Sequence, residues 1–382
     1  MDCQQLFSVI DALSEEYIGV WEDVCNLESP TADKARVDKV GAYFADMARN
    51  RGWKVESLKL ETAGDPICIT MNPDANARPV TFSGHIDTVH PVGLFGNPPA
   101  HRDGEKLYGP GALDCKGGVV ASFMAMDALG RCGFAARPVQ LIIQTDEETG
   151  SRTSGKKTVE YMCRMAKDSV AFLNTEGADG NKIVVARKGI LRYQFHIQGK
   201  ATHSARCEEG ANAITEAAHK ILKLEEMKDP KGLTCNCGVI RGGTVANTVA
   251  EECSFFADIR FADQSQYEQA AATVQAVAEQ IHVPGCTCRV EKISDRPAMP
   301  LEDRNLELLE KINSIYAQVG LEQLVGKRER GGSDTAYTTM AGIPCLDSFG
   351  VEGNGIHSIR EYGLLSSLAL SAKRQAAVAF CI

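Results

Sequence analysis

Three short apolar runs, Val80–Ser83, Val139–Gln144 and Val170–Leu173, each stop at a loop that carries histidine or acidic residues. Apolar runs of roughly four to eight residues bounded by turn signals read as buried strands. The stretches Val119–Leu129 and Lys156–Ala166 that separate them have helical length and spacing. Strands alternating with helices predict an α/β layer, and such sheets place their ligand chemistry at the carboxyl ends of the strands. The first of these loops reads Gly84-His85-Ile86-Asp87-Thr88. Period-two alternation puts His85 and Asp87 on one side. A neutral imidazole is a common metal ligand, and a nearby carboxylate can hold its other ring nitrogen. A surface turn with an unconnected His and Asp reads equally well from this loop alone.

The chain has 382 residues, too many for one ordinary core, which predicts two domains or one domain with an insertion. Residues 4–26 and 34–51 have the apolar spacing of amphipathic helices, and residues 54–60, 67–71 and 79–83 read as strands. Residues 92–111, rich in Gly and Pro, read as a loop. Near Arg187 the pattern changes. Strand, helix, strand, strand, helix, strand follow one another, the order of a split βαβ module. After Arg296-Pro297 the first pattern resumes. The expectation is therefore a discontinuous catalytic domain, 1–187 and 297–382, with an inserted ferredoxin-like α+β domain, 188–296.

A net charge of −9 with no Lys/Arg block disfavours a nucleic-acid partner. No apolar run approaches the roughly 20 residues of a membrane span. Met1-Asp2-Cys3-Gln4-Gln5 lacks a basic region and an apolar region, so a cytoplasmic protein is expected. Fourteen cysteines without a C-x-x-C pair predict buried reduced thiols in place of disulfides or a zinc ribbon.

Five candidate ligands sit in strand-terminal loops: His85, Asp114, Glu148, Glu176 and His357. If Asp114 bridges two ions, each ion also takes one His and one Glu, leaving an open position for water. That is a catalytic arrangement, and its N/O donors suit zinc, cobalt or manganese. Adjacent residues at a strand end point in different directions. One of Glu147 and Glu148 can thus bind metal while the other faces the water and moves its proton. A solvated acidic turn is the alternative for Glu147-Glu148. Asp114 has a more specific setting, at the end of a Gly-rich loop just before a helix.

The motifs Ser83-Gly84-His85-Ile86-Asp87-Thr88-Val89, Tyr108 to Gly118 (YGPGALDCKGG), Thr145 to Ser151 (TDEETGS), Glu176-Gly177, Gly199 to Ala205 (GKATHSA), Asn247, Asp258-Ile259-Arg260, Gly331-Gly332-Ser333-Asp334 and His357-Ser358 cover nearly the whole chain. In this order they resemble the M20 metallopeptidases, the group of carboxypeptidase G2, aminoacylase and succinyl-diaminopimelate desuccinylase. The resemblance implies a mixed-sheet zinc-peptidase-like catalytic domain and an inserted lid that pairs a second subunit into a homodimer. It implies that His85, Asp114 and Glu176 hold one divalent ion, and Asp114, Glu148 and His357 the other. Asp87 would orient His85, and Glu147 would move the proton. His203 would steady the oxyanion across the dimer. Asn247, Arg260 and Arg296 would grip the substrate, with Gly332 and Ser333 lining its pocket; for Arg260 and Arg296 a structural salt bridge is the alternative reading. His90, His101, His196, His219 and His282 match no motif and read as structural or surface residues. One departure stands out. Many relatives have an acid or Met after the bridging Asp, where this chain has Cys115. The family often has a cis peptide at this bond.

The implied reaction is hydrolysis of an amide. The spacing from Gly331 to His357, and Glu in place of Asp at 176, lean toward the glutamate carboxypeptidase-like members. The expected substrate is a small peptide whose C-terminal amino acid is released. An N-acyl-amino-acid deacylase, such as an acetylornithine deacetylase, is the alternative. A metal-free binding protein is a third, remote reading.

Overall fold

The computed structural model describes residues 2–229 and 232–382, which form two compact units. The first comprises Met1–Val185, Leu301–Arg328 and Ser333–Ile382; the second comprises Ala186–Pro300 and Glu329–Gly332.

The core of the first unit is built around the Lys116–Arg131 helix. All but its last two residues are buried, as its nearly unbroken apolar sequence requires. It packs against the Cys3–Asn26 and Leu365–Cys381 helices and against the Val80–His85 strand. The Cys3–Asn26 helix starts with a capping box: Asp2 accepts the Gln5 N–H while Gln5 answers the Asp2 N–H. Its Leu6, Ile10, Leu13, Tyr17, Trp21 and Val24 form the buried stripe. Burying each large side chain of this kind contributes roughly 1.5–3 kcal/mol.

Six strands form the main sheet, in the order Lys54–Ser57, Ile67–Met71, Val139–Gln144, Val80–His85, Ala171–Asn174, Cys345–Leu346. The last four run parallel, and Ile67–Met71 is antiparallel to its neighbours. The sheet is mixed, as expected. The carboxyl ends of the four parallel strands therefore lie along one edge, where His85, Glu147-Glu148, Glu176 and Asp347 emerge. The Gly/Pro-rich stretch read as loop contains two short strands, His101–Asp103 and Lys106–Tyr108. They join Gly353–Asn354 and Tyr362–Leu364 in a small antiparallel sheet. Strands of two or three residues are too short to show a period. The expected strand over 54–60 ends at Ser57.

The second unit is a four-stranded antiparallel sheet, in the order Thr234–Gly242, Glu252–Phe261, Gly189–Gln198, Thr287–Arg296, with helices Ala213–Glu225 and Gln264–Glu279. This is the split βαβ order. Leu191, Tyr193, Phe195 and Ile197 alternate onto the helix-covered face, where Phe195 stacks on Phe255 at 4.6 Å. Lys220, wholly buried, pairs with Glu216 at 2.9 Å and donates to the carbonyls of Val277, Ala278 and Gln280, capping the second helix.

All fourteen cysteines are free; Cys207 and Cys381 are exposed. Among the described residues no helix is long and apolar enough to cross a membrane.

Candidate metal centre

The ends of three parallel strands bring His85, Glu148 and Glu176 together with Asp114, just before the Lys116–Arg131 helix, and His357, in the loop after Gly353–Asn354. Each oxygen of Asp114 faces a different imidazole: Oδ1 lies 3.0 Å from His85 Nε2, and Oδ2 lies 3.3 Å from His357 Nε2. Glu176 Oε1 is 3.8 Å from His85 Nε2, and Glu148 Oε2 is 3.2 Å from His357 Nε2. Ligand atoms of His85, Asp114 and Glu148 fall within 4.8 Å of one another. Asp114 therefore sits between two His/Glu sets, as a bridging carboxylate would.

Each of these side chains is held by an identifiable local feature. Gly118 opens the buried helix where it meets the end of the Ala171–Asn174 strand; a Cβ there would lie 2.1 Å from the Thr175 carbonyl. Thr175 in turn donates through its N–H and its hydroxyl to the Ser83 carbonyl, at 2.8 and 2.9 Å. The Gly350 N–H donates to the Glu176 carbonyl at 3.0 Å. Glu147 and Glu148 lie in a 3₁₀ turn closed by Gly150 in the left-handed region, φ 66°. His357 is itself left-handed, φ 59°. For a non-glycine residue this is an uncommon, strained conformation of the kind that clusters at functional sites.

Asp87 acts more broadly than expected. His85 Nδ1 is 3.0 Å from the Asp87 backbone carbonyl and 3.4 Å from its carboxylate. That carboxylate also accepts the N–H groups of Glu147 and Glu148, each at 3.2 Å, and the Thr31 hydroxyl at 2.7 Å. A proton on Nδ1 leaves Nε2, the atom facing Asp114, with its lone pair when the ring is neutral.

Sequence reasoning missed Glu361, 1% exposed. Its Oε1 accepts the N–H groups of Leu113 and Asp114, at 2.9 and 3.0 Å, and its Oε2 lies 2.8 Å from His90 Nε2. It thus fixes the backbone of the bridging residue. Trp21 Nε1–H donates to the Ala112 carbonyl at 3.0 Å, and Lys116 Nζ donates to the carbonyls of Val24 and Leu27. Burial brings Lys116 down to about 8. The Asp114-Cys115 peptide is cis, as the family resemblance led one to expect. Cys115 Sγ accepts the His85 N–H at 3.0 Å, and burial pushes its thiol up to about 12. It lies with His85 and Glu176 in a second group of donor atoms within 4.8 Å.

The charges are mutually frustrated. Burial opposes ionisation of Asp114, but hydrogen bonds from His357 and His85 hold it far below the usual carboxylate range. Burial, with the Asp114 charge adding to it, pushes Glu148 up to about 7 and Glu176 well above its ordinary value. Burial alone would lower His85; the Cys115 thiol and bonds to Asp114 and Asp87 hold it well above its ordinary value. Bonds to Asp114 and Glu148 raise His357 to about 10. Three carboxyl groups and two imidazoles this close compete for protons, and divalent cations would relieve both the repulsion and the burial cost. The donor set, oxygen and imidazole nitrogen, fits such ions.

The remaining predicted residues have local partners within their own units. His203 is exposed, its Nδ1 accepting the Ala205 N–H at 3.1 Å, and it pairs with Thr248 in an isolated bridge beside Asn247. Arg260 Nε bonds Asp258 at 2.6 Å. Arg296 is 6% exposed and packs under Gly332, where a Cβ would meet its Cδ at 2.8 Å. Ser333, in the first unit, is fully buried and donates to Asp347 at 2.6 Å.

Known proteins resemble this chain in sequence and in fold. Carboxypeptidase G2 of Pseudomonas sp. (strain RS-16) is 28% identical over 353 residues, 91% of this chain and 84% of its own length. Succinyl-diaminopimelate desuccinylase of Rickettsia felis is 24% identical over 384 residues, 92% of this chain and 96% of its own. The crystal structure of aminopeptidase PepT from Bacillus cereus superposes with a TM-score of 0.78 at 22% identity, covering 96% of this chain and 98% of that one. That likeness speaks for the fold alone. Residues 81–379, from the strand before His85 to the last helix, match the model of Peptidase family M20/M25/M40. The match takes in every strand-end loop just described, and the chain belongs to that family of metal-dependent peptidases and amidohydrolases.

Proposed function

We propose that this M20 hydrolase carries two divalent ions, zinc with cobalt or manganese as alternatives, and cleaves an amide bond next to a carboxylate-bearing amino acid, as a glutamate carboxypeptidase-like enzyme. The observation that carries the reading is Asp114 set between His85/Glu176 and His357/Glu148. His85, Asp114 and Glu176 would hold one ion, and Asp114, Glu148 and His357 the other. Bound there, the ions would supply Lewis-acid polarisation of the scissile carbonyl and activation of water.

The chain's own residues divide the remaining work. Glu147 takes the proton of the attacking water and passes it to the leaving nitrogen as the C–N bond breaks. Asp87 holds the His85 ring and the backbone of Glu147 and Glu148, so ligand and base keep a fixed relation. His203, acting from a second subunit, donates to the tetrahedral oxyanion. Arg260 and Arg296 grip the substrate carboxylate, a task suited to a planar guanidinium. Asn247, Gly332 and Ser333 complete the substrate contacts. The inserted domain serves as lid and dimer interface, in a protein of the cytoplasm.

Similarity to carboxypeptidase G2 over 91% of the chain supports release of a C-terminal amino acid. The similarity to a desuccinylase keeps N-acyl-amino-acid deacylation as the second reading. A panel of C-terminal dipeptides, folyl-glutamate-like amides and N-acetyl and N-succinyl amino acids separates them. The highest kcat/KM is expected on a peptide or amide ending in glutamate; a preference for the acyl amino acids contradicts the first reading.

A further inference from the structure

The fourth parallel strand of the main sheet, Cys345–Leu346, ends in a group that the chemistry above leaves unused. Asp347 follows it directly and is wholly buried. Its Oδ2 accepts the hydroxyls of Ser333 and Thr335, both at 2.6 Å, and its Oδ1 accepts Asn174 Nδ2 at 3.1 Å and the Ser348 N–H at 2.6 Å. A buried carboxylate is costly unless such donors satisfy it. Two of these donors lie on the Gly331-Gly332-Ser333-Asp334 turn and the start of the following helix. A third, Asn174, is the last residue of the strand that delivers Glu176. Asn174 Nδ2 also reaches Ser333 Oγ at 3.2 Å, which closes the triangle. The backbone repeats the connection: the Phe349 N–H donates to the Asn174 carbonyl at 2.9 Å, and the Gly350 N–H to the Glu176 carbonyl at 3.0 Å.

We propose that Asp347 is a positioning residue that locks Ser333 and Thr335 to the Asn174–Glu176 segment, so that Glu176 and the serine turn are held as one piece. This rests on the reading of Glu176 as a metal ligand. A carboxylate suits the task because one oxygen takes two hydroxyls while the other takes an amide and a backbone N–H. An apolar side chain of similar size would fill the space and leave Ser333, Thr335 and Asn174 without a shared partner.

The test is a titration of metal-free protein with Co²⁺, followed by its visible absorption, on wild type, Glu176→Gln and Asp347→Asn. Wild type should take up two equivalents, and Glu176→Gln identifies the step that belongs to its ion. Asp347→Asn should weaken that same step by roughly 10-fold or more, as loss of a ligand-orienting partner does, and leave the other step unchanged. Should Asp347→Asn not fold, Thr335→Val, which removes one donor to the same oxygen, should shift the same step in the same direction. Wild-type affinities in the folded variant, even with a lowered Tm, overturn the positioning role. A wild-type protein that takes up no Co²⁺ overturns the metal reading on which it rests.

Discussion

The backbone N–H of Glu148 donates to Asp87 Oδ2 at 3.2 Å, across an interval of 61 residues. Together with the Glu147 N–H on Oδ1, it ties the second strand-end loop to the residue beside His85. Asp87→Asn keeps the shape but turns one acceptor into a donor facing other donors. Metal affinity or kcat should fall roughly 10–100-fold with an unchanged circular-dichroism spectrum. Unaltered kinetics would show that the carboxylate does no positioning.

Glu147→Gln should retain both metal ions and the wild-type Tm while kcat drops about 10²–10⁴-fold, the usual contribution of a positioned general base. Metal content is read by elemental analysis and turnover with the best substrate of the panel. Turnover near wild type would remove Glu147 from the mechanism.

Gly118→Ala places a methyl 2.1 Å from the Thr175 carbonyl, a backbone atom with no rotamer to escape through. Overpacking of this kind costs about 1–3 kcal/mol. The strand that delivers Glu176 must also shift. Thermal unfolding should therefore show a lower Tm, and metal binding should weaken in the same variant. A Tm equal to wild type would mean that the helix and strand can separate freely.

In metal-free protein, stability should fall as the pH rises. Glu148, raised from 4.5 to about 7, contributes stability that is full below 4.5 and lost as the pH climbs through about 7. His357, raised from 6.5 to about 10, adds a second loss that begins above 6.5 and ends near 10. Asp114 is held low, so its contribution is complete above 3.8 and constant across this window. Unfolding of chelator-treated protein should give a Tm that declines from about pH 6 to about pH 9, with a shallower decline in His357→Ala. A flat or rising curve would contradict the charge balance described for the site.

The candidate ligands were legible because each follows an apolar run that stops abruptly or a Gly-rich loop. His85, Glu148 and Glu176 converge because parallel strands present their carboxyl ends along one edge, while Asp114 and His357 come from loops that follow Lys106–Tyr108 and Gly353–Asn354 of the small antiparallel sheet. The split βαβ order was legible in the same way, from strands of about ten residues such as Glu252–Phe261 that alternate cleanly. Glu361 and Asp347 were not. Both are isolated acids in irregular segments; the partners of Glu361, Leu113 and Asp114, are distant in sequence, and those of Asp347, Ser333 and Thr335, lie 14 and 12 residues before it, across a helix. No spacing rule connects a buried carboxylate to backbone N–H groups 247 and 248 residues away. The small sheet that contains Lys106–Tyr108 escaped because its strands are shorter than one period of any pattern. Asp87 was found, but its hold on Glu147 and Glu148 appears only once the strands are paired.

A centre for two ions bridged by Asp114 is read out by elemental analysis of the purified protein, wild type and Asp114→Asn side by side. Two divalent transition-metal ions per chain are expected in wild type and fewer than one in the variant, each folded by circular dichroism. Wild-type protein that is folded and free of metal, and stays so after incubation with Zn²⁺, Co²⁺ and Mn²⁺, would contradict it.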